Sequence, residues 1–274
     1  MREMRLLAEK FLLFTKNCTL MMRKTMQLSA LVLAIGLFNL TTVKAQESST
    51  EDKLSVGVSL NHDAFFGFNP AMTFSYALNP KTALTFYGIQ WGAGTASAWG
   101  NWTEFGLGVN FKAGIFDINP QLGFTMGSLL SSGAAQRGVV GDGIVPNLTV
   151  NLNNDKFIGQ FYGGYYGAFR NETAAGEFTN NYVHYWLNAG VKATPWLALG
   201  GHFENLYLAS GKLNGGNGDG GDLTQTDGYN WIGPFLQLSK GSSGMRFSFG
   251  ADLTKPESSF SMNDFYKLQL FFGF

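Results

Sequence analysis

Three residues of this 274-residue chain carry side chains that could do chemistry together: His184, His202 and Glu204. Two imidazoles and a carboxylate are the donor set of a metal centre or of an acid–base pair. If their segments are strands paired about Thr194, His184 stands opposite Glu204 and His202 lies two residues along, all on one face. A metal centre needs three or four ligands converging on a point, and hairpin neighbours give only a start toward one. The reading is a buried, hydrogen-bonded cluster. Neither a Gly-x-Ser-x-Gly nor a His-Glu-x-x-His motif occurs. The run from Asn214 to Asp222 has the composition of calcium-binding glycine–aspartate repeats, but Gly220 stands where the repeat needs Asp. It is also a single copy where stacking requires several, so it reads as an external loop. The sequence therefore predicts a protein that is not an enzyme and holds no cofactor or metal.

The elements that must position these residues are strands. Thr103, Phe105, Leu107, Val109 and Phe111 alternate with polar or small residues, as do Phe116, Ile118, Leu122, Phe124 and Met126. Val183 to Val191 and Met245 to Leu253 repeat the pattern. A period of two with one apolar face is the signature of a strand. The whole chain reads as strands near 54–63, 69–78, 82–91, 102–112, 115–126, 144–152, 157–170, 180–192, 196–208, 229–239, 245–254 and 264–274. Short connections such as Asn79-Pro80-Lys81 and Ala113-Gly114 alternate with long ones, 92–101, 127–143, 171–179, 209–228 and 255–263. Short turns on one side and long loops on the other are the layout of a transmembrane barrel. The fold class is thus all-β, a transmembrane antiparallel up-and-down barrel of about twelve strands, with ten or fourteen as alternatives.

The N-terminal region carries its own signal. Met21-Met22-Arg23-Lys24 is a basic start, Leu28 to Leu40 an apolar stretch, and Val43-Lys44-Ala45 a cleavage site of small residues. This predicts a leader over 1–45 with its core at 21–45 and cleavage after Ala45, a short periplasmic segment over 46–53, and a barrel over 54–274. The leader takes seven of the 19 basic and two of the 19 acidic residues, leaving 12 against 17 and a mature charge near −5. A nucleic-acid surface is not supported. Cys18, the single cysteine, goes with the leader, so thiol chemistry goes too. With 36 Gly, 25 Phe and 14% charged residues, the composition is odd for a soluble domain. No stretch after Ala45 is long enough to span as a helix, and closed β-structure is the other way to satisfy a backbone in lipid.

The last ten residues are the most telling. Tyr266, Leu268, Leu270, Phe272 and Phe274 share one face of a strand that ends on phenylalanine. The segment resembles the C-terminal signal strand of Gram-negative outer-membrane β-barrels. That resemblance implies an outer-membrane location among lipid and lipopolysaccharide, and recognition of the strand by the barrel assembly machinery. Tryptophans and tyrosines at strand ends (Trp91, Trp99, Trp102, Trp196, Tyr229, Trp231) then read as girdles at the two membrane interfaces. A secreted sandwich or lipocalin-like barrel is the soluble alternative, opposed by those aromatics and by polar faces that hold few charges.

With apolar faces outward, alternate positions line the lumen. The candidates are Glu104, Asn110, Asp117, Asn119, Gln121, His184, Asn188, His202, Glu204, Arg246, Asp252 and Lys267. Setting the last loop's centre between Ser259 and Phe260 places Asp252 across from Lys267. Leu129, Leu130, Val139 and Val140 make the 127–143 loop apolar enough to fold into the mouth. A lining of amides, hydroxyls and both charge signs predicts a passive channel for small polar solutes. A barrel with a filled lumen, acting structurally or through its external loops, is the alternative; an outer-membrane enzyme is the third reading.

Overall fold

The computed structural model describes residues 53–92, 102–127, 129–131, 141–169, 176–214, 220–254 and 263–274. The expected leader, nearly all of segment 46–53, Trp99, Val139, Val140 and residues 215–219 of the Gly/Asp run lie outside the described residues.

Among the described residues, thirteen strands form one antiparallel sheet. They are β1 (Leu54–Asp63), β2 (Gly67–Asn79), β3 (Thr82–Trp91), β4 (Trp102–Ala113), β5 (Phe116–Met126), β6 (Gly143–Asn153) and β7 (Phe157–Ala168). There follow β8 (Phe178–Thr194), β9 (Leu197–Leu213), β10 (Gly221–Asp222), β11 (Thr226–Lys240), β12 (Ser243–Asp252) and β13 (Asp264–Gly273). Each long strand pairs with its neighbours in chain order, β9 passing directly to β11, and β13 pairs with β1. Twelve strands thereby close on themselves, which removes the free edges that a membrane or an aggregate would punish. The two-residue β10 only extends β9 at one rim.

Short turns are built from local chemistry. Asn79 Oδ1 accepts from Lys81 N, and Asn154 Oδ1 accepts from Lys156 N and Phe157 N, the side-chain turns that Asn favours. Both described ends of the barrel strands, Leu54 and Gly273, lie at this short-turn end, where Val56 and Phe274 exchange backbone hydrogen bonds. Outward positions carry the exposed apolar residues, among them Met72, Leu84, Leu107, Phe111, Leu187 and Phe249.

Three expectations need correction. β9 runs to Leu213 and β11 starts at Thr226, so part of the expected 209–228 loop is strand. Pairs such as Asn181 with Ser210 and Thr179 with Lys212 carry the sheet beyond the apolar belt; there both faces are polar and the sequence shows no alternation. In the β8–β9 hairpin the register is shifted by two: Glu204 stands opposite Trp186 and His202 opposite Asn188. An irregularity between Lys192 and Thr194 moves the turn onto Pro195 and Trp196. In the last hairpin Lys267 stands opposite Ser248, not Asp252. Asp252 ends its strand by accepting from Asn230 N, Thr254 N and Thr254 Oγ1, and so is not a lumen partner of Lys267.

Candidate functional site

The barrel interior has two layers. Toward the long loops it is packed with aromatic rings. The β1–β2 connection is the one short link at that end, and it turns inward. Asp63 accepts from Phe65 N at 3.0 Å and Phe66 N at 2.6 Å, while Asn69 Nδ2 donates to its other oxygen. Gly67 closes the turn at φ 68°, where a Cβ would be strained. Phe65 and Phe66 are driven into the lumen. Phe65 meets Tyr229 at 4.9 Å between ring centres, and Phe66 meets Trp91 at 4.7 Å and Trp102 at 5.9 Å. Leu129 and Leu130 of the β5–β6 connection cover the same cluster, as the apolar character of that loop suggests. Asp142 Oδ2 holds Leu130 N at 2.6 Å. The void left among Phe66, Trp91, Trp102, Leu129 and Tyr166 is about 10 Å³, no more than one water occupies.

Two fully buried glutamates organise this plug. Glu104 accepts from Tyr87 Oη at 2.6 Å, Trp91 Nε1 at 3.0 Å and Tyr166 Oη at 3.1 Å. Tyr87 reaches it because Gly106 and Gly123 lie beneath its ring; a Cβ at either would collide with it. Glu204 accepts from Tyr229 Oη at 2.8 Å and Lys267 Nζ at 2.6 Å, with His184 Nε2 at 2.9 Å. His202 Nε2 lies 3.2 Å from its second oxygen, and His202 Nδ1 is 2.8 Å from Asn188 Oδ1. The three sequence-selected residues therefore do meet, with Lys267 supplying the positive charge that closes the set. Among the described residues no group of three His, Asp or Glu is arranged to hold a metal.

Toward the short turns the interior opens into a polar vestibule of about 530 Å³. Asn110, Asp117, Asn119 and Gln121 line one wall and Asn188, Arg246 and Lys267 another, with His202 between them and the plug. Thr85 Oγ1 donates to Asn119 Oδ1 at 2.9 Å, and Gln160 Nε2 to Asn151 Oδ1 at 3.0 Å. Of the lumen candidates, Glu104, His184 and Glu204 sit in the plug, Asp252 near the long-loop rim, and the rest on the vestibule.

What sequence reasoning missed is the inward aromatic set. Trp91, Trp102, Tyr229 and Trp231 were expected at the membrane interface, yet all four are buried inside. Their neighbours on the same face are polar: Trp102 is two residues from Glu104, and Trp91 is four from Tyr87. That shared parity with a polar residue was the available signal. Trp196 does stand exposed at a short turn.

Residues 21–274 match a family of unknown function, DUF6733. The chain belongs to that family. No curated protein sequence matches it significantly. In fold it is similar to the COG4313 outer membrane channel from Pseudomonas putida F1, at 12% identity and a TM-score of 0.52, over 83% of this chain and 100% of that one. A looser similarity links it to the KdgM porin, at 12% identity and a TM-score of 0.44, over 80% of this chain and 99% of that one.

Proposed function

We propose that this DUF6733 protein is an outer-membrane barrel that admits small polar solutes into its vestibule and is closed at rest by the aromatic plug. The carrying observation is the contrast along one lumen between a polar space of about 530 Å³ and a packed layer with a void of about 10 Å³. Membrane placement is supported by the exposed apolar residues around the barrel and by the terminal strand. The expected open diffusion pore becomes a gated one, because a continuous water path is what the plug interrupts. The complete pairing of Glu104 and Glu204 favours a second reading, a permanently filled barrel.

Planar-bilayer recording separates the two. Wild-type protein is expected to show only rare, brief openings, and Phe65→Ala with Phe66→Ala to give frequent discrete conductance steps. Steady conductance from the folded wild type would overturn closure at rest. A double variant that folds and stays silent would favour the filled barrel.

A further inference from the structure

Among the described residues, Arg246 is a lumen cation that forms no ion pair. Arg246 donates its Nε to Gln237 Oε1 at 2.9 Å, and its guanidinium carbon lies 5.3 Å from the centre of the Phe235 ring. Phe235 is a fixed platform: it is 2% exposed and packs over Gly190 and Gly200, where a Cβ would meet its ring. The guanidinium is thus held by one edge and one face. A guanidinium carries five N–H donors, and one of them is used. Among the described residues the interior carboxylates are committed elsewhere: Glu204 to Lys267, Glu104 to hydroxyls and an indole, Asp63 to its own turn, Asp117 to Asn110. None forms an ion pair with Arg246.

The surroundings narrow what such a group would take. Arg246 stands opposite Gln269 on β13, diagonal to Lys267, whose side chain is 21% exposed. A planar fork with open terminal nitrogens matches a carboxylate bidentately. Across the vestibule the wall is amide and hydroxyl, groups that exchange hydrogen bonds with alcohols. Tyr162 and Trp186, stacked at 3.9 Å and 15°, line the same space, and Lys267 Nζ lies over the Trp186 ring, 5.2 Å from its centre. The volume falls within the roughly 300 to 1,000 Å³ typical of small-molecule pockets.

We propose that the vestibule binds small organic anions rich in hydroxyl groups, of the sugar-acid type, with Arg246 taking the carboxylate. This rests on the reading that solutes enter the vestibule. D-glucuronate and D-glucose are the probes, since they share a ring and differ in the carboxylate. Both are titrated calorimetrically into the full mature protein in detergent at constant ionic strength, with heat-modifiable gel mobility confirming the fold. Glucuronate is expected to bind at least about tenfold more tightly than glucose. Arg246→Gln should abolish that preference, and Arg246→Lys, which keeps the charge but not the fork, should retain part of it. Equal binding of the two sugars, binding of neither, or an Arg246→Gln protein with its preference intact would overturn the assignment. Conductance of the plug variant is a separate readout. A barrel that conducts when unplugged yet ignores glucuronate loses only the anion assignment, whereas glucuronate binding by a barrel that stays silent loses only the channel.

Discussion

Lys267 and Glu204 give the sharpest test of how the plug is held. Lys267 Nζ lies 2.6 Å from Glu204 Oε2, and the two side chains differ in access, 21% exposed for the lysine against 0% for the glutamate. Removing the lysine strands a buried carboxylate, a change that costs about 3 to 5 kcal/mol when one partner of a buried pair is lost. Tyr229 and His184 still serve Glu204, so Lys267→Met is expected at the lower end, about 3 kcal/mol. Removing the glutamate leaves an ammonium that can turn to vestibule water. Glu204→Gln also keeps an acceptor for Tyr229, and about 1 to 2 kcal/mol is expected. The double variant should lose less than the sum, by about 1 to 2 kcal/mol of coupling. The assay is urea unfolding in phospholipid vesicles followed by tryptophan fluorescence. Asp252→Asn is the control: its strand position is four residues from the one facing Lys267, about 13 Å along the strand, and its loss should add to Lys267→Met without coupling. A vanishing Lys267–Glu204 coupling, or a glutamate variant less stable than the lysine variant, would refute the reasoning.

Four further outcomes are expected. Emptying the plug with Phe65→Ala and Phe66→Ala should cost about 3 to 5 kcal/mol per site while opening conductance; a stable, silent barrel would contradict it. Glu104→Leu leaves Tyr87, Trp91 and Tyr166 without their acceptor, at about 1 to 3 kcal/mol for each buried donor, whereas Glu104→Gln keeps one acceptor. The leucine variant should therefore melt at the lower temperature in a heat-modifiability gel series, and the reverse order would refute the network. Replacing Phe272 and Phe274 with Ser should lower the yield of membrane-assembled barrel and leave periplasmic degradation products, as the resemblance of the terminal strand implies; normal levels in membrane fractions would count against it. Glucuronate binding should track Arg246 as set out above.

The barrel was legible because its signal is one-dimensional. Where one face meets an apolar environment and the other does not, every second residue reports it, and β1, β5 and β12 fall close to the expected bounds. The signal fades where that asymmetry does. Above the belt, β8 and β9 continue with polar residues on both faces, and the sequence there reads as loop. Register depends on turns and irregularities that alternation does not encode, hence the shift by two at Glu204 and by four at Lys267. The interior was harder because an aromatic side chain satisfies either environment. Trp102 and Tyr229 suit an interface belt by type, and only the polar residues that share their parity on the same strand, Glu104 for Trp102 and Gln237 for Tyr229, mark them as inward. Lys267 and Glu204 were both assigned to the lumen, but 63 residues apart in sequence on strands that share no pairing, they could not be joined by any hairpin argument.

The distribution of polar contacts says which part of the plug is free to leave. Glu104 and Glu204 are bonded to side chains of barrel strands, so displacing either would strand a carboxylate or several donors. The β1–β2 turn is different. Its carboxylate, Asp63, is spent on the turn's own Phe65 N and Phe66 N and on nearby Asn69, while its phenylalanines touch the rest of the plug through ring faces and edges. Moving that turn toward the long loops gives up apolar burial, at about 1.5 to 3 kcal/mol per phenylalanine, and the backbone hydrogen bond from Ala64 N to Tyr266 O, and leaves the Asp63 hydrogen bonds intact. A cost of that size fits a minor open state, whereas unmaking either glutamate cluster would add the charged-group penalty on top. On the proposed reading, the turn is the element through which the lumen would open, with the glutamates as its fixed frame. A disulfide-free test follows from the same contrast: Phe66→Trp should enlarge the apolar contact and reduce open events in the bilayer, while Glu104→Gln should leave their frequency nearly unchanged.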